Sequence, residues 1–203
     1  VLYNRLGHYF QSYNKLDEAK KHFQISYNLF ERADSAEGRS ETLSVLGRIN
    51  FLQEELDEAL QYFNRSRAIA LESGDAMPLA LVNLRIGEVN LKLADYSEAE
   101  KNLKDSLFYY QKLGVKYRIA EVQEKLGLIY EKSQNYPEAE NKYLIALDLN
   151  KKVHSKFAQA QTLFNLARLK MLQNENADAF RNIEESIRLT ESSNNETANS
   201  NLK

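Results

Sequence analysis

The feature that most constrains this chain is a period. A large aliphatic residue followed by a small one recurs every 40 residues, as Leu6-Gly7, Leu46-Gly47, Ile86-Gly87, Leu126-Gly127 and Leu166-Ala167. Twelve residues after each small residue stands an alanine: Ala19, Ala59, Ala99, Ala139 and Ala179. An acid precedes each alanine (Glu18, Glu58, Glu98, Glu138, Asp178). A bulky residue follows four positions later (Phe23, Phe63, Leu103, Tyr143, Ile183). Three further on the chain is small again, at Ser26, Ser66, Ser106, Ala146 and Ser186. Five copies in one register, with no insertions, are repeats of one structural unit. Such units bury their apolar faces only against their neighbours.

The unit is helical. The chain has two prolines, is rich in Leu, Ala, Glu, Lys and Gln, and shows no sustained alternation or Asn-Gly or Asp-Gly turn. Glycine inside a helix costs about 1 kcal/mol relative to alanine. Its recurrence at four of five equivalent sites therefore implies close approach of two backbones. The Gly/Ala column belongs to a first helix and the Ala column to a second, whose first turn carries the acid that complements the helix dipole. Asp95-x-x-Glu98 and Asn135-x-x-Glu138 fit capping arrangements, and Pro137 and Pro78 stand where a missing N–H is harmless. Residues 34, 74, 114 and 154 (Asp, Gly, Gly, His) fit left-handed helix ends, whereas Gly38 has no place in the pattern. The pattern predicts ten helices, over 1–13, 16–32, 36–53, 56–72, 76–93, 96–112, 116–133, 136–153, 156–173 and 176–191. Ser192 to Lys203, rich in Asn and Ser, reads as a disordered polar tail or linker.

Repeat 1 carries Tyr3, Leu6, Gly7, Phe10, Ala19, Phe23 and Ser26, and repeat 4 carries Leu126, Gly127, Tyr130, Tyr136, Ala139, Tyr143 and Ala146. These columns resemble the tetratricopeptide repeat, in the longer-period form found in kinesin light chains, cell-polarity adaptors and bacterial regulators and sensor kinases. The resemblance covers residues 1–191 and implies an all-α, right-handed α-solenoid of about five helix-turn-helix pairs. The repeats would span about 1–35, 36–75, 76–115, 116–155 and 156–191. Asn50, Asn90 and Lys170 depart from the aromatic column of Phe10 and Tyr130, and Asn176 departs in the fifth pair.

The resemblance implies a non-catalytic scaffold that binds a peptide or partner protein in a concave groove. The alternative is a sensory or regulatory module of a longer signalling protein, such as a sensor histidine kinase or transcription regulator. In this family the first helix of each pair lines the groove. Carried over by position, the groove residues are His8, Gln11, Arg48, Phe51, Leu84, Glu88, Leu91, Leu128, Glu131, Phe164, Arg168 and Met171. Inter-repeat packing is the competing role for Leu84 and Leu128. The Lys/Asn clamp for chaperone tails is not evident in the columns Asn4, Ser44, Leu84, Glu124, Phe164 and His8, Arg48, Glu88, Leu128, Arg168.

Chemistry finds little foothold. His8, His22 and His154 form no ligand spacing, so no metal is expected, and no phosphate-binding loop or nucleophile elbow occurs. No cofactor and no catalytic residue is implied. A net charge of −2, from 27 Lys+Arg against 29 Asp+Glu, gives no footprint for nucleic acid. The 12 Tyr and 9 Phe fall mostly in the core columns rather than on a stacking platform. No apolar run approaches a membrane span. Without Cys the compartment stays open between the cytoplasm, the first choice, and the periplasm. The first helix is cut short relative to its repeats and the fifth pair leaves an open apolar end. Both features lead us to expect a piece of a longer protein, or self-association through the solenoid ends.

Overall fold

The computed structural model describes residues 2–200, with side chains described through 194. Among the described residues there are ten α-helices and no strand. They are α1 (Leu2–Ser12), α2 (Leu16–Arg32), α3 (Ala36–Leu52), α4 (Leu56–Ser73), α5 (Ala76–Lys92), α6 (Tyr96–Leu113), α7 (Lys116–Lys132), α8 (Tyr136–Lys152), α9 (Lys156–Leu172) and α10 (Asn176–Ser200). The predicted helices are all present. The tenth runs on to Ser200 rather than stopping near 191, because nothing from 176 onward is Gly or Pro. Residues 201–203 of the expected tail lie outside the described residues.

The chain divides into two compact units, Val1–Leu113 and Gly114–Lys203. In unit 1, α1 packs on α2, α3 on α4 and α5 on α6, while α2 meets α3 and α4 meets α5. In unit 2, α7 packs on α8, α9 on α10, and α8 meets α9.

One contact recurs throughout. A Cβ added at Gly7 or Gly47 would stand 2.8 Å from the ring of Phe23 or Phe63. At Gly87 it would stand 2.8 Å from Leu103, and at Gly127 2.6 Å from Tyr143. The large residue of each second helix thus occupies the space that the missing Cβ leaves on the first. Its other side meets the next first helix: Phe23 clusters with Leu46 and Ile49, Phe63 with Val82, Ile86 and Val89, and Tyr143 with Leu163, Leu166 and Leu169. Ala19, Ala59, Ala99, Ala139 and Ala179 are all buried. The serine column ties the pairs with hydrogen bonds: Ser66 Oγ donates to the Ser40 carbonyl at 2.8 Å, Ser106 to Ala80 at 2.7 Å and Ser186 to Ala160 at 2.8 Å. Gly38, unplaced by the pattern, is explained here, since a Cβ on it would overlap the Phe30 ring.

The left-handed helix ends at Asp34, Gly74, Gly114 and His154 are as expected. The turns inside the pairs use the same conformation at Asn14, Glu54, Ala94, Gln134 and Asn174, a column with no glycine to mark it. Each is followed by an N–H that reaches back to the first helix, such as Asp95 N to Asn90 O at 2.9 Å. Asp95 caps α6 by accepting from Glu98 N at 3.1 Å. Asn135 makes no such side-chain bond. Ser35, Asp75 and Ser155 supply caps that the sequence reading did not single out.

Two substitutions should move stability in opposite directions. Ala99→Leu should overpack the α5–α6 contact and cost about 1–3 kcal/mol. Ala94→Gly should relieve a left-handed alanine (φ 59°) and add about 0.5–1 kcal/mol. Urea unfolding reads both.

Candidate functional site

The first helices carry the expected groove residues, and their depths differ widely. In unit 1, His8 is exposed with its ring edge-on to Phe23, centroids 4.9 Å apart, and Gln11 is half-buried. Arg48 is exposed on α3. One turn further on, half-buried Phe51 lies under the Lys92 ammonium of α5, 4.8 Å from the ring centre. Lys92 also pairs with Glu54 at 2.5 Å. Leu91 is half-buried beside it in sequence, and Glu88 pairs with Arg85 at 2.6 Å. Arg48, Phe51, Leu91 and Lys92 therefore give α3 and α5 a ridge of mixed apolar and cationic character. Leu84 is a correction to the groove set. It is 0% exposed, so it packs in the interior of unit 1 and cannot touch a ligand.

In unit 2, Phe164 and Met171 are exposed on α9 and Leu128 is half-buried on α7. Leu128 lines a cavity of about 240 Å³ with Glu124, Lys125, Tyr143, Gln161, Asn165 and Arg168. Glu131 is a second correction. It is buried, and its carboxylate is already engaged. Arg168 donates from Nε and Nη2 to its two oxygens, each at 3.0 Å, and Tyr143 Oη donates at 3.0 Å. Glu131 and Arg168, expected as separate ligand contacts, form one internal bidentate pair. Burial and the adjacent Glu131 carboxylate hold the Tyr143 phenol well above its ordinary value. Glu124, on the rim of the same cavity, shares a short hydrogen bond with Thr162, which also accepts from Asn150 Nδ2 at 3.0 Å. Burial pushes the Glu124 carboxyl up, against the pull of Thr162 and Lys125.

The groove reading missed the N-terminal halves of α3 and α5. There Glu37, Ser40, Glu41, Ser44 and Val45 face Asp75, Met77, Pro78 and Leu81 across a cavity of about 390 Å³. The signal was available: the ridge through Ser44 and Arg48 continues by helical spacing to Glu41 and Glu37. Among the described residues no group of His, Asp or Glu could hold a metal, and no helix is long and apolar enough to cross a membrane.

Paired helices in a strict repeat, with small-residue contacts inside each pair and a mixed ridge on the first helices, define a helical-repeat protein. The sequence matches the tetratricopeptide repeat over residues 1–72 and 118–192, and the chain belongs to that family. Solved structures share its all-α solenoid fold. The apo form of RapI superposes with a TM-score of 0.86 at 17% identity, over 96% of this chain and 71% of that one. BtubC (BKLC) from P. vanneervenii gives 0.82 at 18% identity, over 93% and 78%. Kinesin light chain-like repeats from Podosopora anserina give 0.74 at 15%, over 94% of each chain. At these identities the likeness is one of fold. No curated protein matches the sequence.

Two outcomes follow from the unit 2 network. Glu131→Ala strips the partner from buried Tyr143 and from Arg168, and should cost about 1–3 kcal/mol by urea unfolding. Glu124→Gln keeps the acceptor oxygen and removes the charge. The folded-state carboxyl titrates above its unfolded value of 4.5. The wild type is therefore penalised once pH exceeds its raised value, and the penalty vanishes below the unfolded one. Glu124→Gln should be the more stable protein at pH 7, with the advantage fading as pH falls towards 4, followed by thermal melts across that range.

Proposed function

We propose that this chain is a non-catalytic interaction scaffold that binds an extended peptide, or a helix of a partner protein, on the first-helix face of unit 1. The observation that carries this reading is the contact of half-buried Phe51 on α3 with Lys92 on α5, with exposed Arg48 one turn earlier on α3 and half-buried Leu91 next to Lys92 in sequence. Binding energy concentrates in a few apolar, aromatic and arginine anchors, and such ridges supply them. Family membership supports the reading, because repeats of this kind present extended surfaces for partners. In unit 2, Phe164 and Met171 offer a second apolar surface on α9. A sensory module of a longer signalling chain would use the same faces as its input.

The test is a pull-down with this chain, mass spectrometry of what it retains, and titration of the captured partner. Phe51→Ala and Arg48→Ala should each weaken binding by more than about 1 kcal/mol while leaving the fold intact. Lys101→Ala is the near-neutral control, because Lys101 is exposed on α6 and its ion pair with Glu98 is at the surface. Arg65 is unsuitable as a control, because it donates to Tyr27 Oη at 3.1 Å and covers the Tyr27 ring. Binding that survives both groove substitutions but fails in the control would refute the reading.

A specific observation favours self-association as a second mode. Phe23, Phe63, Leu103 and Tyr143 are fully buried, but Ile183 in the same column is only half-covered, and Phe180 and Ile187 beside it on α10 are exposed. Phe180 and Ile183 border a hollow of about 280 Å³ with Met171, Asn176 and Ala179. On α1, Leu2 and Tyr9 are exposed, while their counterparts Val82, Val122, Ile49, Val89, Ile129 and Leu169 are buried. Docking α10 of one copy on α1 of the next would repeat the α2–α3 contact head to tail. Sedimentation should show mass rising with concentration, and Ile187→Glu should hold the protein monomeric. A monomer at all concentrations would count against this mode.

A further inference from the structure

The cavity of about 390 Å³ between α3 and α5 has a consistent chemistry. Its floor is closed by Ser40 and Ser66, both buried, whose hydroxyls lie 3.1 Å apart and bond to each other's carbonyls at 3.2 and 2.8 Å. Those polar groups are satisfied within the protein. Its walls are apolar: Val45 on α3, with Met77, Pro78 and Leu81 on α5. Its rim carries three carboxylates. Glu37 and Glu41 stand one helical turn apart on α3, and Asp75 caps α5 from the opposite side, accepting from Met77 N at 3.1 Å. No Lys, Arg or His lines the cavity, and none of the three carboxylates has an ion-pair partner among the described residues.

Some acids of unit 1 are neutralised by neighbours, as Glu55 is by Lys20, Asp34 by Arg39, Glu88 by Arg85 and Glu54 by Lys92, whereas among the described residues no base reaches the three on this rim. An apolar well whose rim carries three carboxylates and no cation presents a single sign of charge to whatever enters it. We infer that it is a subsite for an arginine side chain of a bound extended peptide. The aliphatic stem would lie along Val45, Met77, Pro78 and Leu81, as long cationic side chains cover apolar surface while their heads stay polar. The planar guanidinium carries five donors, enough to serve carboxylates from both helices at once, where an ammonium supplies a single compact centre. The volume falls within the usual range of about 300–1,000 Å³ for ligand sites.

This inference rests on the groove reading and gives it a direction. The acidic well lies at the N-terminal ends of α3 and α5, and Arg48 and Lys92 lie towards their C-terminal ends. A peptide bound along this face would place its basic residue over the well and an acidic residue near Arg48.

The probe is the capped tripeptide acetyl-Gly-Arg-Gly-amide, titrated into the ¹⁵N-labelled chain, with acetyl-Gly-Leu-Gly-amide and acetyl-Gly-Glu-Gly-amide as comparisons. Saturable shifts should appear at the amides of Ser40, Ser44, Met77 and Leu81 for the arginine peptide alone, and weaken with added salt. The double substitution Glu37→Gln with Glu41→Gln should raise the Kd at least about tenfold, as loss of charge-assisted bonds does. Asp75→Asn, which keeps the helix cap, should raise it as well. Equal shifts with the leucine peptide, no saturable shift, or affinity unchanged in the Gln variants would each overturn the assignment. Arg48 and Phe51 do not line the well, so the two readings fail separately. Arginine-peptide binding with a partner indifferent to Phe51 and Arg48 removes only the groove reading. A partner dependent on them, with a silent tripeptide, removes only the subsite.

Discussion

The structure depends on a large side chain pressed against a place where a first helix has no Cβ. Phe23, Phe63, Leu103 and Tyr143 approach Gly7, Gly47, Gly87 and Gly127 so closely that even a methyl group there would overlap them. Glycine inside a helix is unfavourable in isolation. Here it lets the second helix come near enough for one residue to serve two interfaces, because Phe23, Phe63 and Tyr143 also pack on the first helix of the next pair. A contact that closes one pair and seats the next gives each compact unit its continuity.

The same contact decides which side of each first helix remains for a ligand. With the glycine edge turned to its own pair, and Leu46, Ile49, Val82, Ile86 and Val89 turned to the preceding one, the ridge of Glu37, Glu41, Ser44 and Arg48 is what is left on α3. Its chemistry changes along the helix, from carboxylates at the start to a guanidinium and an aromatic ring at the end. In unit 2 the polar groups of the corresponding face are bonded to one another, while Phe164 and Met171 stay exposed. Glu131, Arg168 and Tyr143 satisfy one another, and Glu124 is held against Thr162. Two units built on one repeat thus differ in how much of their polar chemistry remains available to a partner.

The helices and their pairing were legible because close packing restricts residue size, and restricted size repeats visibly at 40-residue intervals. The turns within pairs were not, because Asn14, Glu54, Ala94, Gln134 and Asn174 adopt left-handed backbone without the glycine that signals it. Gly38 was opaque because its partner Phe30 lies outside the repeating columns. For the groove set, helical spacing assigns residues to faces of the first helices but carries no information on the depth of each. Leu84 sits on the expected ridge and is wholly buried. Pairing of Glu131 with Arg168 joins residues 37 positions apart on different helices, which no local pattern reveals. Glu37 and Glu41 lie on the first two turns of α3 and Asp75 just before α5, outside the columns that flank the glycine.

A double-mutant cycle on Gly47 and Phe63 tests the central contact directly. Gly47→Ala alone should destabilise, since its Cβ would meet the Phe63 ring at 2.8 Å. Once Phe63→Ala has removed the ring, whose atoms are the nearest that the new Cβ would meet, the same alanine should be neutral or favourable through its helix propensity. The account predicts a coupling of about 1 kcal/mol or more between the two sites by urea unfolding, whereas additivity within about 0.3–0.5 kcal/mol would contradict it.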